Sequence, residues 1–288
     1  MAEGRHIENP FEYALEKTSW ALRDTGRMLG AERRPRTAAA PTVNRITAAD
    51  LRAALREGMA DLGAARADIV FIGVIYPLAG LLLLQVAANR NLLPLAFPLV
   101  SGFALLGPLA AVGLYEISRR RERGEPASWR DAAGVLSSPA LGSILGMGLI
   151  LLALFGVWLA AAWAIYNATL GPEPPASAGA FLSDVFSTPA GWTMIVVGCA
   201  VGAVFAAVAL AVSIVTIPLL LDRDISLLRA IGVSLKAVRE NPTTLAMWGL
   251  IVASALVLGS VPVLVGLIVV MPLLGHATWR LYRRLVSS

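Results

Sequence analysis

Charge is scarce in this sequence where it would be most informative. The 288 residues include 24 Lys and Arg and 19 Asp and Glu, yet none lies near the middle of a long apolar run. Ionisable groups at membrane depth are costly and mark ion or proton pathways, so their absence argues against a coupled transporter. The single cysteine, Cys199, excludes an intramolecular disulfide and any Cys-pair metal or redox motif. Of the two histidines only His276 lies near an apolar run, at its edge, which leaves a membrane haem without axial ligands. No GxSxG elbow, Walker loop or His-Glu-xx-His helix is present. The reading is non-enzymatic, with no catalytic, metal or cofactor-binding residue assigned and no cofactor implied.

What the chain has in excess is apolar residues. They make up 57% of it, with a mean hydropathy of +0.71. Their runs are about as long as the roughly 20 residues that cross a bilayer. A bilayer admits only helices or closed barrels, and runs this continuous are helical. The expected fold is all-α and polytopic, with six transmembrane helices over about 69–88, 93–117, 140–166, 191–221, 243–259 and 262–279. Residues 1–46 read as a polar, flexible tail, and 47–288 as the transmembrane domain. No signal peptide is visible, so the first span would itself direct insertion.

The formal net charge of +5 invites a nucleic-acid partner, but its placement does not support one. All Lys and Arg except Arg90 fall before the first span, between spans two and three, between four and five, or after six. That is the positive-inside pattern, and it puts both termini in the cytoplasm. The bilayer is the expected partner, nucleic acid is not, and other membrane subunits are admitted.

The stretch from Asp222 to Arg284 is a unit the chain repeats: surface helix, span, short turn, span, basic cap. Its helix carries Ile225, Leu228, Ile231, Leu235 and Val238 on one stripe and stops at Asn241-Pro242. Thr47-Ala-Ala-Asp50 resembles a capping box ahead of a second such helix, with Leu51, Leu55, Met59 and Leu62 opposite Arg52 and Arg56. That helix suits either the inner membrane face or a soluble position against cytoplasmic loops. Trp129, Ala132, Ala133 and Leu136 form a shorter third copy. Each even span has Pro-Leu near its cytoplasmic end, at Pro108, Pro218 and Pro272. Three pseudo-repeated hairpins with cytoplasmic amphipathic helices follow. Aromatic belts are expected at Trp163, Tyr166 and Trp192 on the outer side and Tyr115, Trp248, Trp279 and Tyr282 on the inner.

Two sets of residues stand out. Gly142 and Gly146 in span three, with Gly198 and Gly202 in span four, have the small-residue spacing that lets helices approach closely. They serve packing within the chain or against a partner subunit, and the first pair would meet Ala209 or Ser213. The second set is an inner-face polar cluster of Glu116, Arg119, Asp222, Arg223, Asp224, His276 and Arg280. Salt bridges or lipid headgroup contacts fit it. A metal would need Glu116, Asp222 and His276 to converge from three separate spans.

Pro98-Leu-Val-Ser-Gly-Phe-Ala-Leu-Leu-Gly-Pro108 and Gly113-Leu-Tyr-Glu-Ile-Ser-Arg-Arg-Arg-Glu122 resemble a bacterial integral-membrane family, domain of unknown function 2189. Leu220-Leu-Asp-Arg223, Asn241-Pro242 with Trp248-Gly249, and Gly275-His-Ala-Thr-Trp-Arg-Leu-Tyr-Arg283 look like its later motifs. The resemblance covers about 47–286 and implies a multi-span bacterial inner-membrane protein. Some members are labelled cytochrome oxidase related, which the histidines here do not support. Where the family often has a second histidine this chain has Arg280, against a two-histidine metal site. The expected role is an accessory, assembly or scaffolding subunit of a larger membrane complex, respiratory complexes included. The alternative is a channel or permease for a small neutral or lipid-like solute, with a cavity lined by Ser101, Thr216 or Ser254.

Overall fold

The computed structural model describes residues 41–64, 74, 77–85, 92–125 and 134–287. Most of the expected tail and first span, and the Trp129–Ala133 part of the second surface segment, lie outside the described residues. A short strand β1 (Thr42–Val43) leads into α1 (Ala48–Ala64), and residues 77–85 are helical. Then follow α2 (Leu93–Glu122), α3 (Leu141–Thr169), α4 (Ala178–Ser187), α5 (Pro189–Ser213) and α6 (Thr216–Asp222). The chain closes with α7 (Leu227–Glu240), α8 (Pro242–Ser260), α9 (Leu267–Leu285) and β2 (Val286–Ser287).

Among the described residues four helices are long and apolar enough to cross a membrane: α2, α3, α5 with α6, and α8. That is fewer than the six expected. The expected sixth span begins instead with a turn in which Val263 and Leu264 have positive φ, +50° and +66°, strained for a β-branched residue. The helix after it, α9, is amphipathic and carries Arg280, Arg283 and Arg284. β1 pairs antiparallel with β2, Thr42 opposite Ser287 and Val43 opposite Val286. Both ends of the described chain therefore lie on the same side, and the number of crossings between them is even.

Burial is unevenly distributed along two of the long stretches, while in α3 buried residues recur from Ser143 to Tyr166. In the stretch from α5 to α6 almost nothing is buried before Ala209, whereas Thr216 to Leu221 are all buried. In α2 the buried run is Val112 to Ser118, at the arginine-bearing end. At about 1.5 Å per residue the 34 residues of Pro189–Asp222 span roughly 50 Å, well beyond a hydrocarbon core of about 30 Å. Much of the packed core gathers at the basic end. Tyr115, Trp248, Trp279 and Tyr282 are buried there, at 3%, 1%, 0% and 0% exposure. They are core residues and not an interfacial belt; at the other end Trp163 and Trp192 are exposed as a belt requires, but Tyr166 is buried, with its hydroxyl on the Glu173 carbonyl. Next to them α4 occupies a stretch expected to be loop, capped by the Ser177 hydroxyl on Ala180 N–H.

The prolines account for the helix breaks. Proline lacks an N–H and clashes with the carbonyl four residues earlier. The 3₁₀ segment Ala104–Leu106 precedes Pro108, the break at Ile214 and Val215 precedes Pro218, and the turn before α9 contains Pro262, whereas Pro272 lies within α9 itself. The segments after these breaks, Val112–Glu122, α6 and α9, touch one another at the centre of the basic end. The surface helices pack around them, α7 on α6 and α1 along α9. On α7 the buried line is Leu227, Ala230, Ser234 and Ala237, one position off the expected stripe. On α1 it is Leu51, Ala54, Gly58 and Asp61, and Met59 is 52% exposed. A Cβ at Gly58 would lie 2.7 Å from Ala277 N, so the two backbones meet there and only glycine fits.

Ser234 repairs the break before Pro218. Its hydroxyl donates to Ala211 C=O at 2.7 Å and accepts from Val215 N–H at 3.3 Å, entering the helical ladder between two groups that would otherwise bond each other. Ser234→Ala leaves both buried groups without that partner. Thermal unfolding in detergent micelles should register a loss of about 1–3 kcal/mol, against a much smaller effect for the exposed Gly232→Ala.

Candidate functional site

The expected inner-face cluster resolves into three separate networks at the basic end. The first joins α1, α2 and α9. Asp61 receives two hydrogen bonds from the Arg280 guanidinium, Nε to Oδ2 at 2.9 Å and Nη2 to Oδ1 at 3.0 Å. Arg121 donates to the Asp61 backbone carbonyl and stands 3.5 Å from its carboxylate. The Ser118 hydroxyl lies 3.4 Å from Asp61 Oδ2 and 2.6 Å from His276 Nδ1. His276 is fully buried, and its Nε2 has no hydrogen-bond partner among the described residues.

The second network joins α2, α6 and α9. Asp222 accepts from the Tyr282 hydroxyl at 2.8 Å and from Arg283 Nη1 at 3.2 Å, with Arg123 and Arg223 each at 3.9 Å. Arg283 Nε and Trp279 Nε1 both donate to Glu122 at 3.0 Å. The third lies on α2, where Glu116 accepts from Arg119 at 2.8 and 2.9 Å and from Arg120 at 3.0 Å. Glu116, Asp222 and His276 therefore do not share a site, and Asp224 is exposed in the link between α6 and α7. Among the described residues no three His, Cys, Asp or Glu side chains form a group that could hold a metal ion.

Sequence reasoning missed Asp61, Ser118, Arg121, Glu122 and Arg283. A signal existed for Asp61: it extends the spacing Leu51, Ala54, Gly58 on an otherwise apolar face. A carboxylate there must meet a cation once that face is buried.

The edge of this region is held by polar ties between the chain ends. Asn241, expected only as a helix stop, accepts from Ile46 N–H at 2.7 Å and donates to the Asn44 and Ala237 carbonyls at 3.0 and 3.2 Å. Thr244 donates to Ile46 C=O at 3.1 Å. Arg284 grips Glu57 at 2.6 and 3.2 Å, and that hydrogen bonding holds the Glu57 carboxyl below the usual carboxylate range. The N–H and hydroxyl of Thr47 do the same for Asp50; this supplies one half of the expected capping box, since Asp50 N–H bonds the Thr47 carbonyl and not its hydroxyl.

The candidate packing glycines have different surroundings. Gly142 is half-buried. Gly146 faces Leu227 of α7, not Ala209 or Ser213, with 3.0 Å from a built Cβ to the leucine methyl. Gly202 faces the Trp158 ring at 3.1 Å, and Gly198 faces open space. Gly198, Cys199, Gly202, Ala203 and Ala206 line one wall of a recess of about 240 Å³, with Ser101, Gly102 and Trp158 across it. Trp158 is fixed by its indole N–H on the Pro98 carbonyl, at 3.1 Å.

Residues 96–222 match the family of predicted integral membrane proteins called domain of unknown function 2189. The match runs from the start of α2 to the end of α6, and so contains Pro98–Glu122 and Leu220–Asp222. The motifs at Asn241 and at Gly275–Arg283 lie beyond the matched stretch. No curated protein and no solved structure matches the chain.

Two outcomes follow from these networks. Asp61→Ala leaves Arg280 and Arg121 without their carboxylate and should destabilise the protein by about 3 kcal/mol, whereas the paired change Asp61→Leu, Arg280→Met should recover most of that loss. Thermal melts of the three variants separate the cases. The second outcome concerns pH. The depressed carboxyls of Glu57 and Asp50 stabilise the fold above the ordinary carboxylate range, and that contribution disappears as pH falls through their lower folded values. Glu57→Gln should therefore melt earlier than wild type at pH 7 and nearly together with it at about pH 3.

Proposed function

We propose that this protein is a non-enzymatic accessory, assembly or scaffolding subunit of a larger complex in a bacterial inner membrane. The reading has six spans in three hairpins and both chain ends in the cytoplasm. The even number of crossings, the arginines collected at the end where β1 meets β2, and the three proline-broken segments in mutual contact support that topology. The observation that carries the subunit role is the exposure of α5. Only 6% of the most apolar stretch of Pro189–Asp222 is buried, against 28% for α2 and for α3. On that helix Gly198, Cys199, Ala203 and Ala206 form a small-residue wall around the recess. Small residues at this spacing favour a second helix at close range, so the occupant is an apolar transmembrane helix of another membrane chain.

The channel or permease reading has less support. Ser101 lines the recess, but Thr216 is buried with its hydroxyl on Val212 C=O, and Ser254 lies on the exposed side of α8.

Cys199 is exposed and is the sole cysteine, so it reports on this face directly. In native membranes a bifunctional maleimide should link Cys199 to one other membrane chain, which then purifies in stoichiometric amount with the tagged protein. Gly198→Leu, which has room to fold, and Ala203→Leu should abolish both the link and the co-purification. Links only between two copies of this chain, or a lone monomer, would overturn the proposal.

A further inference from the structure

α1 and α7 are far apart in sequence and pack on different helices, yet they present the same three faces in the same order. Positions advance by about 100° per residue around a helix. On α1 the buried line is Leu51, Ala54, Gly58 and Asp61. About a quarter-turn further round lie Leu55, Met59 and Leu62, of which Met59 is 52% exposed. Beyond them come Arg52 and Arg56, both exposed and with no ion pair among the described residues.

On α7 the buried line is Leu227, Ala230, Ser234 and Ala237. About a quarter-turn further, in the same sense, lie Leu228, Ile231, Leu235 and Val238, of which Ile231 and Val238 also pack against the core and Leu228 is 65% exposed. Beyond these come Arg229, Lys236 and Arg239, all exposed. Lys236 stands 3.7 Å from Glu240, while Arg229 and Arg239 have no ion pair among the described residues.

A helix docked on a soluble core needs two faces, one buried and one wet. Three faces in sequence, protein-facing, then apolar, then cationic, suit a helix at a bilayer edge. There the apolar flank enters the acyl boundary and the arginine stems reach back to the headgroups. With the same sense of rotation, the same flank of both helices turns toward one bilayer if they are related by rotation about the membrane normal. We propose that α1 and α7 form a matched pair of interfacial helices that bind anionic phospholipid headgroups, through Arg52 and Arg56 on one and Arg229 and Arg239 on the other. The proposal does not depend on whether α5 has a partner.

The probe is phosphatidylglycerol competing with phosphatidylcholine for the purified full chain, read by native mass spectrometry of retained lipids. Wild type should retain the anionic lipid preferentially. Replacing Arg52 and Arg56, or Arg229 and Arg239, by Gln should reduce that preference roughly fivefold for each arginine removed, and Lys at the same positions should preserve it. Depth is read separately, from a fluorophore on Leu228→Cys in a Cys199→Ala background, reconstituted in vesicles of the two lipids. A shallow spin-labelled lipid should quench it and aqueous iodide should not. An unchanged preference in the fourfold Gln variant, or quenching of Leu228→Cys by iodide alone, would overturn the proposal.

Discussion

The close crossing of α1 over α9 is the contact on which the rest of the basic end depends. Gly58 allows the backbones to meet at Ala277, and that proximity delivers Asp61 to Arg280 and Glu57 to Arg284. With the crossing in place β1 reaches β2, and the 44–46 segment reaches Asn241. Without it Asp61 would lose the two-pronged Arg280 guanidinium and keep only the longer Arg121 contact, a costly arrangement for a carboxylate held away from water.

The distribution of burial explains how an apolar chain of this kind keeps a unique structure. In a bilayer, helix association gains little from the hydrophobic effect, because lipid tails are as apolar as leucine. The stretch from α5 to α6 accordingly stays exposed along most of α5 and is buried only where α6 meets α2 and α9 at the basic end. There, hydrogen-bonded ion pairs and buried aromatics such as Trp248, Trp279 and Tyr282 specify the packing. The proline breaks help by separating a membrane half from a packing half in the same stretch of chain, with Ser234 satisfying the backbone groups exposed at one of them.

The all-helical class, four of the spans and the ends of α8 were legible because twenty-residue apolar runs and an Asn-Pro stop have few physical interpretations. The faces of α1 and α7 were less so. A stripe chosen by size, Leu228, Ile231, Leu235 and Val238, loses to the neighbouring line of small residues, because close packing on another helix rewards Ala, Gly and Ser. The polar cluster was half legible. Residues at similar depth can be listed from the sequence, but depth does not fix azimuth. Glu116 therefore turned to its own helix while Asp222 and His276 turned to different neighbours. Asp61 was overlooked for a related reason: its partner, Arg280, lies at the other end of the chain and no local pattern links them.

The pairing of the first described segment with the last also sets an order of events. Synthesis delivers α1 well before α9, which covers its Gly58–Asp61 face. Until α9 has been made and docked, that face lacks this cover and the clasp cannot close. Closure across more than two hundred residues makes this a late, non-local step. A chain interrupted before Arg280 would therefore lack the clasp of the basic end, which couples the packing of α1 to the presence of α9.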